Sequence, residues 1–384
     1  MKICQISAVD FTIKHFLLPL IDKMNNEKWD VTVICSEGKY TKSLKEKGYK
    51  IKNIQIPRNL NIYLLVKSFI NLYLEFKMNN YDIVHVHTPV ASVVVRIAAW
   101  FARVPTVIYT AHGFYFHENM SIVKYYFYFL IEKFFGKLTD ILFVQSNEDF
   151  ETAKKSKFID KNKLFVIGNG VDIKKFYPRN YKEILYLKKK LKLPKKSFVI
   201  GCIARLVEEK GIIEFLNAAD KITNKFSNVY ILLVGERLKT DHNREISSII
   251  KSKKNKMKEK LILLGYRTDI PELISVMDLF CLPSWREGMS RSILEAMMMG
   301  KPILTTNIRG CREQVEHNKT GLIIPVKSEL KIYQSIEFLI NNKNIRKMYG
   351  KNSRCKALKN YNEKKILSFQ IKKIKEHKNH LLTK

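Results

Sequence analysis

Two carboxylates, two cations and a turn rich in backbone N–H groups are gathered into two short stretches of this sequence. Residues 283–300, PSWREGMSRSILEAMMMG, place Glu287 and Glu295 eight positions apart. The stretch follows an apolar run ending LFCLP, passes Gly288, and enters a helical pattern of Ile293, Leu294, Ala296 and three methionines that Gly300 ends. A strand–loop–helix of this kind presents unpaired N–H groups and the positive end of the helix dipole, which is a place for a phosphate. Were the segment helical throughout, its two glutamates would stand about 12 Å apart at roughly 1.5 Å per residue. That is the reach from a sugar ring across a pyrophosphate to a ribose. Ionised carboxylates only accept hydrogen bonds, so two of them flanking a positive turn suit a ligand with hydroxyls at both ends and phosphates between. Each glutamate taken alone is also the ordinary solvated acid of a surface, and the methionines are ordinary core.

The second stretch is Ile203–Gly211, IARLVEEKG. Arg205 and Lys210 would project from a strand end and the start of the next helix toward one crevice, the guanidinium as a planar fork for phosphate oxygens and the ammonium as a point charge. Pairing with Glu208 and Glu209 at the surface is the alternative. Gly168–Asp172, GNGVD, offers a tight turn through Gly168, Asn169 and Gly170 with close ligand approach. Thr110–Phe114, TAHGF, sets His112 before a glycine at a strand's carboxyl end. His85 and His87 share one face of a strand without a third ligand nearby in sequence, and read as strand residues rather than a metal site. There is no G-x-x-x-x-G-K-[ST], no G-x-G-x-x-G after the first strand and no D-x-D at a strand end, which disfavours P-loop hydrolysis, ordinary dinucleotide binding and a cation-bridged diphosphate. No residue is therefore assigned to a metal.

The elements that must position these groups alternate. Apolar runs predict strands over Lys2–Ile6, Val31–Cys35, Ile83–His87, Thr106–Thr110, Ile141–Gln145 and Leu164–Ile167, then over Phe198–Ile203, Val229–Val234, Leu261–Leu264, Leu279–Leu282, Pro302–Thr305 and Gly321–Ile324. Most are continuous rather than alternating, as for parallel strands covered on both faces. Helical segments such as Ile212–Lys225 and Ile270–Met277 lie between. The pattern is α/β, two doubly wound parallel-sheet domains, with ligands at strand carboxyl ends. The lysine-rich stretch Phe176–Lys196, punctuated by Pro178 and Pro194, marks the boundary. The expected domains are 1–177 and 178–362. A basic helix over 363–384, with Leu367, Ile371 and Ile374 on one stripe, is expected to pack back on the first.

The 384 residues are 46% hydrophobic and 27% charged, which excludes a disordered chain, and 15 Gly and 10 Pro without a triplet period exclude collagen. Lys and Arg outnumber Asp and Glu by 69 to 36, a net charge of +33 that calls for an anionic partner. The six dispersed cysteines, Cys4, Cys35, Cys202, Cys281, Cys311 and Cys355, read as buried free thiols of a reducing compartment. The start MKICQISAVDF reads as a strand rather than a signal peptide, and no run of about 18 apolar residues suggests a spanning helix, so a cytoplasmic location is expected.

The ordered set TAHGF, GNGVD, IARLVEEKG, LLGYRTDIPELI and REGMSRSILEA resembles the retaining glycosyltransferases of family 4, over essentially the whole chain. The resemblance implies the GT-B fold, two Rossmann-like domains facing across a cleft, the second binding a nucleotide-sugar. HVHTPVAS and YTAHGFYFHE resemble bacterial enzymes that build capsule, exopolysaccharide or glycan donors on polyprenyl diphosphate. By the same resemblance Arg205 and Lys210 bind the donor diphosphate, Glu287 holds donor-sugar hydroxyls, and the amides of Gly288, Met289 and Ser290 meet sugar and phosphate. Glu295 accepts from the ribose, the backbone at Tyr266 and Arg267 lines the base, and His112 lies beside the donor sugar from the first domain. It implies no cofactor beyond the nucleotide-sugar, most simply a UDP-sugar, and neither a covalent intermediate nor a protein general base. Two departures stand out. The first strand-to-helix loop, SAVDFTIKHF, lacks the family's glycine pair, and Ser290 stands where Gly or Pro is common.

Residues 59–78, NLNIYLLVKSFINLYLEFKM, and 122–138, IVKYYFYFLIEKFFGKL, mix aromatics, aliphatics and lysines. They are expected either in the first domain's core or at a bilayer interface, where anionic lipids attract a basic surface. Together with the charge they point to an anionic membrane surface and a peripheral place on the inner leaflet, with a polyprenyl-diphosphate glycan as acceptor. The rivals are a sugar-nucleotide enzyme without glycan acceptor, a GDP-sugar transferase and, remotely, a nucleic-acid binder, for which no module is present.

Overall fold

The computed structural model describes residues 1–57, 61–237 and 245–382. The chain divides into two compact units, Met1–Gly168 with the segment from Lys365 onward, and Asn169–Lys364.

In the first unit a parallel sheet joins β1 (Lys2–Val9), β2 (Asp30–Ser36), β3 (Lys50–Asn53), β4 (Ile83–His87), β5 (Thr106–Ala111), β6 (Ile141–Val144) and β7 (Leu164–Val166) in the order β3-β2-β1-β4-β5-β6-β7. β4, β5 and β6 are buried along their whole length, so the polar His85, His87 and Thr110 on them are enclosed with the apolar residues. β3, KIKN, is absent from the sequence reading. It is an edge strand of alternating lysines, mostly exposed, and such charge keeps an open edge from recruiting other strands. β1 also exceeds expectation, running to Val9 with an irregularity between Ile6 and Val9 and entering a helix at Asp10. The glycine-free SAVDFTIKHF stretch is thus strand and helix rather than an open turn. Asp10 is buried and accepts from the backbone N–H groups of Tyr40 (2.7 Å) and Thr41 (3.1 Å). A Cβ on Gly38 would stand 2.4 Å from its carboxylate, so the glycine that this junction requires sits on the neighbouring loop.

The helix Glu363–Leu382 carries Ile371 and Ile374, both buried in this unit's core, with Leu367 partly so. Residues 383–384 of the expected helix, and Asn59 and Leu60 of the first aromatic stretch, lie outside the described residues. The two aromatic stretches form the helices Ile62–Asn79 and Ile122–Gly136. Arg96, 1% exposed, anchors the second of these to the helix Pro89–Phe101: its Nη2 stands 3.1 Å from Glu132 Oε2, and its guanidinium lies 4.6 Å from the Tyr109 ring centroid. Tyr109 completes the cluster by donating to Glu132 Oε1 at 3.1 Å. A charge this deep persists only because it is paired and hydrogen-bonded.

In the second unit β8 (Phe198–Ile203), β9 (Val229–Val234), β10 (Leu261–Leu263), β11 (Leu279–Leu282), β12 (Ile303–Thr306) and β13 (Gly321–Ile324) run parallel in the order β10-β9-β8-β11-β12-β13. The chain winds outward from β8 to β10 and returns to pair β11 on the other side of β8. The order reverses between β8 and β11, and crevices at such reversals take ligands. Five of the cysteines are buried free thiols and Cys355 is exposed. Burial pushes Cys35, Cys202 and Cys311 up to about 12, so these thiols stay protonated.

Candidate functional site

The loops after β8 and β11 flank the reversal point of the second sheet, and they carry the two stretches singled out by residue type. After β8 the chain makes a single 3-10 turn, Glu208–Lys210, and Gly211 follows in the left-handed region at φ 67°. A Cβ there would lie 2.0 Å from the carbonyl oxygen of Pro283, so only glycine permits this approach. The contact zips the two loops together. Trp285 N–H donates to Glu209 O at 2.8 Å, and its indole N–H to Glu214 Oε1 at 3.1 Å. Lys210 Nζ then meets Glu287 Oε1 at 2.7 Å, and Ser284 Oγ donates to the same oxygen at 2.9 Å. Both side chains of this ion pair are largely enclosed, 15% and 12% exposed. Arg205 leaves the same strand end and pairs with Glu209 at 3.1 Å, each about one-third exposed.

Glu287 precedes the helix, which begins at Arg291 with Ser290 as its N-cap. The continuous helix that would have made the spacing about 12 Å is therefore not formed; a loop carries the first glutamate and the helix the second. The turn is clamped by the segment that follows β12. Gln314, fully buried, accepts from Ser290 N–H at 3.1 Å and donates to Ser290 O at 2.7 Å. Gly310, at φ 78°, approaches so closely that a Cβ would lie 1.8 Å from Gly288 O. The Ser290 N–H, expected to face a ligand, is thus taken by a side chain. Neither Gly310 nor Gln314 was singled out by sequence; a glycine just beyond a strand end was the available signal.

Glu295 is held by Arg291, Nε to Oε1 at 3.2 Å, and Arg291 Nη2 reaches Glu363 Oε1 at 3.5 Å. Burial holds the Glu295 carboxyl above the ordinary range, with Arg291 pulling the other way. Asn169 Nδ2 donates to Met289 O at 3.3 Å, which brings the GNGVD stretch to the Glu287–Ser290 turn. Gly170 packs against the backbone of Glu363, and Gly168, at φ 69°, belongs to the first unit beside Ile366. Tyr266 and Arg267 follow β10 at the same edge of the sheet. Gly235, after β9, donates to Gly265 O at 2.8 Å and comes too near Ala204 O for any side chain. Arg267 grips Asp269 with Nε–Oδ1 at 2.7 Å, which raises the guanidinium further and depresses the acid.

His112 stands just past β5 in the first unit. Its Nε2 lies 3.1 Å from His87 Nδ1 and its Nδ1 3.0 Å from Gln145 Nε2, so both ring nitrogens have partners inside that unit. His85 and His87 are buried beside it and are more than strand residues, since each bonds a side chain on a neighbouring strand. Among the described residues no group of three or more His, Cys, Asp or Glu is placed to hold a metal ion.

Chemically, the second sheet's edge offers an ammonium, a guanidinium, a clamped turn and two carboxylates at three consecutive strand ends. Comparison with known proteins gives the family of the chain. The model described as Glycosyl transferases group 1 matches residues 184–356, and that described as Glycosyltransferase Family 4 matches residues 15–175. A UDP-Gal:alpha-D-GlcNAc-diphosphoundecaprenol alpha-1,3-galactosyltransferase of Escherichia coli is 32% identical over 91% of this chain and 90% of that protein. An N,N'-diacetylbacillosaminyl-diphospho-undecaprenol alpha-1,3-N-acetylgalactosaminyltransferase of Campylobacter jejuni is 29% identical over 97% of this chain and 98% of that protein. Among solved structures, Anabaena Alr3699/HepE in complex with UDP and glucose superposes with a TM-score of 0.80 at 20% identity, covering 98% of this chain and 99% of that one.

Proposed function

We propose, for a chain that belongs to the glycosyltransferases of family 4 and is a hexosyltransferase of GT-B fold, that it moves a hexose or N-acetylhexosamine from a UDP-sugar to a glycan on polyprenyl diphosphate with retention at the anomeric carbon. The observation that carries the donor side is the Lys210–Glu287 pair, 2.7 Å apart at the reversal point of the second sheet. Lys210 and Arg205 would meet the diphosphate, and Glu287 the donor-sugar hydroxyls. Glu295 would accept from the ribose, with Tyr266 and Arg267 beside the base. In the reaction the bond from the anomeric carbon to the diphosphate oxygen breaks and a bond to the acceptor oxygen forms. The acceptor proton passes to the departing phosphate, whose charge the two cations offset. Fixed cations stabilise that developing charge without reorganising at the moment of reaction, and no metal is given a part. The acceptor side rests on the relatives in Escherichia coli and Campylobacter jejuni, whose names specify diphosphoundecaprenol-linked glycans. UDP release from a panel of UDP- and GDP-sugars, measured with and without a lipid-linked glycan, tests this. Release that depends on both a UDP-sugar and the acceptor is expected; acceptor-independent turnover would favour the sugar-nucleotide alternative.

A peripheral place on the inner leaflet completes the reading. No helix among the described residues is long and apolar enough to cross a membrane. The first unit instead displays apolar rows. Ile62, Val66, Ile70, Leu74 and Met78 recur every fourth residue of one helix and all are exposed, as are Ile122, Tyr126, Leu130 and Phe134 of another. Such rows beside lysines, on a chain of +33, match an anionic bilayer surface. The protein is expected to float with anionic liposomes and to release at high salt, and Ile70→Glu combined with Leu74→Glu should weaken the association. Binding that is absent, or indifferent to salt and to these charges, would remove the membrane from the reading.

A further inference from the structure

Six polar side chains on four adjacent strands of the first sheet form one unbroken hydrogen-bonded line, and the direction of every bond in it follows from a single sulfur atom. The line runs Gln145, His112, His87, Gln5, His85, Thr110. Gln5 lies on β1, His85 and His87 on β4, Thr110 on β5 with His112 just beyond it, and Gln145 just beyond β6. Gln5, His85, His87, Thr110 and Gln145 are nine-tenths or more buried.

The amide of Gln5 can be oriented because its Nε2 also stands 3.2 Å from Met24 Sδ, and a thioether only accepts. With the nitrogen there, Gln5 donates to His85 Nδ1 at 3.1 Å, so His85 carries its proton on Nε2 and donates to Thr110 Oγ1 at 2.8 Å. On the other side Gln5 Oε1 is an acceptor, so His87 must donate from Nε2 at 3.0 Å and accept at Nδ1. His112 then donates from Nε2 to His87 Nδ1 at 3.1 Å, and its Nδ1 accepts from Gln145 at 3.0 Å. Every donor meets an acceptor only when all three rings are neutral and protonated on Nε2. A proton added to His85 or His87 would set two donors face to face, and one added to His112 would do so unless the Gln145 amide turned. Burial also holds the three rings below the ordinary histidine range.

We infer that His112 serves transfer as a neutral, tautomer-locked positioning residue rather than as a proton donor or acceptor, and that Gln5, His87 and Gln145 are positioning residues acting through it. Held at both nitrogens, the ring fixes the turn into Gly113, which takes φ 108° at the carboxyl end of β5. This rests on the glycosyltransferase reading for what the turn serves, while the tautomers stand on the first unit alone.

The test has two arms. In the protein labelled with 15N-histidine, side-chain NMR between pH 6 and 8 is expected to show these three rings neutral with the proton on Nε2. A charged ring, or a proton on Nδ1 of His87 or His112, overturns the inference. In the transfer assay, His87→Leu removes the acceptor of the His112 proton and is expected to lower kcat at least tenfold. His87→Gln, whose amide can still donate to Gln5 and accept from His112, is expected to restore most of it with little change in the KM for donor. Equal kcat for the two variants, whether native or reduced, overturns the positioning role, and the NMR arm decides if neither variant folds. His112→Gln with native kcat would also overturn it, while leaving the glycosyltransferase reading intact; a native protein that releases no UDP with any sugar-nucleotide would instead strike that reading and leave the tautomers standing.

Discussion

Lys210→Ala is expected to lower kcat for sugar transfer by about 10²–10³, the usual cost of removing one preorganised group that stabilises charge developing on a leaving oxygen. The lysine is the more enclosed of the two candidate cations. It stands at the reversal point of the sheet, 15% exposed against 35% for the Arg205 side chain, and its ammonium is already fixed at 2.7 Å from Glu287. An ion this well placed costs little further ordering when a diphosphate arrives, whereas Arg205 must leave Glu209. Folding should survive the change. Glu287 loses its partner but keeps the hydrogen bond from Ser284 and some access to water, so a fall of a few degrees in Tm is expected rather than unfolding. Lys210→Ala combined with Glu287→Gln, which removes the stranded charge, should recover the Tm without recovering transfer. A folded Lys210→Ala protein with transfer within threefold of native would mean that the lysine serves only its salt bridge.

Acid should unfold the protein through the first unit. Burial lowers His85 to about 3 and His112 to about 4, and takes His87 well below its usual value. Unfolded, each ring titrates near 6.5, so between those limits the unfolded chain binds protons that the native one refuses. Because the folded values are depressed, the stabilisation is fully present above about pH 6.5 and is lost as pH falls toward the folded values. Each ring contributes a slope approaching about 1.4 kcal/mol per pH unit, so three together approach about 4. Glu295 and Glu363 work in the opposite sense. Their folded values are raised by burial, so their contribution is full below the unfolded carboxyl value of about 4.3 and is lost as pH rises; they offset part of the slope near its lower end. Urea denaturation at pH 7.5, 6.0 and 5.0 should show stability falling steeply over the last interval, and His85→Gln should reduce the slope by about one proton. Equal stability at pH 7.5 and 5.0 would mean that water reaches the rings.

How much was legible in advance differed with the kind of feature. Buried central strands such as β8 and β11 were readable to the residue, because a strand covered on both faces by core is almost entirely apolar. The edge strand β3 was not, because its lysines carry no apolar signal. Glu287 and Lys210 were readable as types at strand ends. Gln314, Gly310, Arg291 and Glu363 were not, since a buried glutamine or a left-handed glycine looks like any other until the opposite loop is known. The three histidines show the limit most clearly. His112 drew notice for its glycine neighbour, while Gln5, which orients the whole line, sits in the first strand with nothing in its surroundings to mark it.

Composition, apolar period and the order of the strand-end motifs determined two parallel sheets and the edge of the second that would meet a ligand, because backbone geometry and burial act over a few neighbouring residues. Only the tertiary structure decided which of those residues touch. Lys210 and Glu287 are 77 positions apart and Gln5 and His87 are 82 apart. Their meeting depends on strand order, register and the close approach of loops, which are set by packing the whole sheet and leave no mark on local sequence.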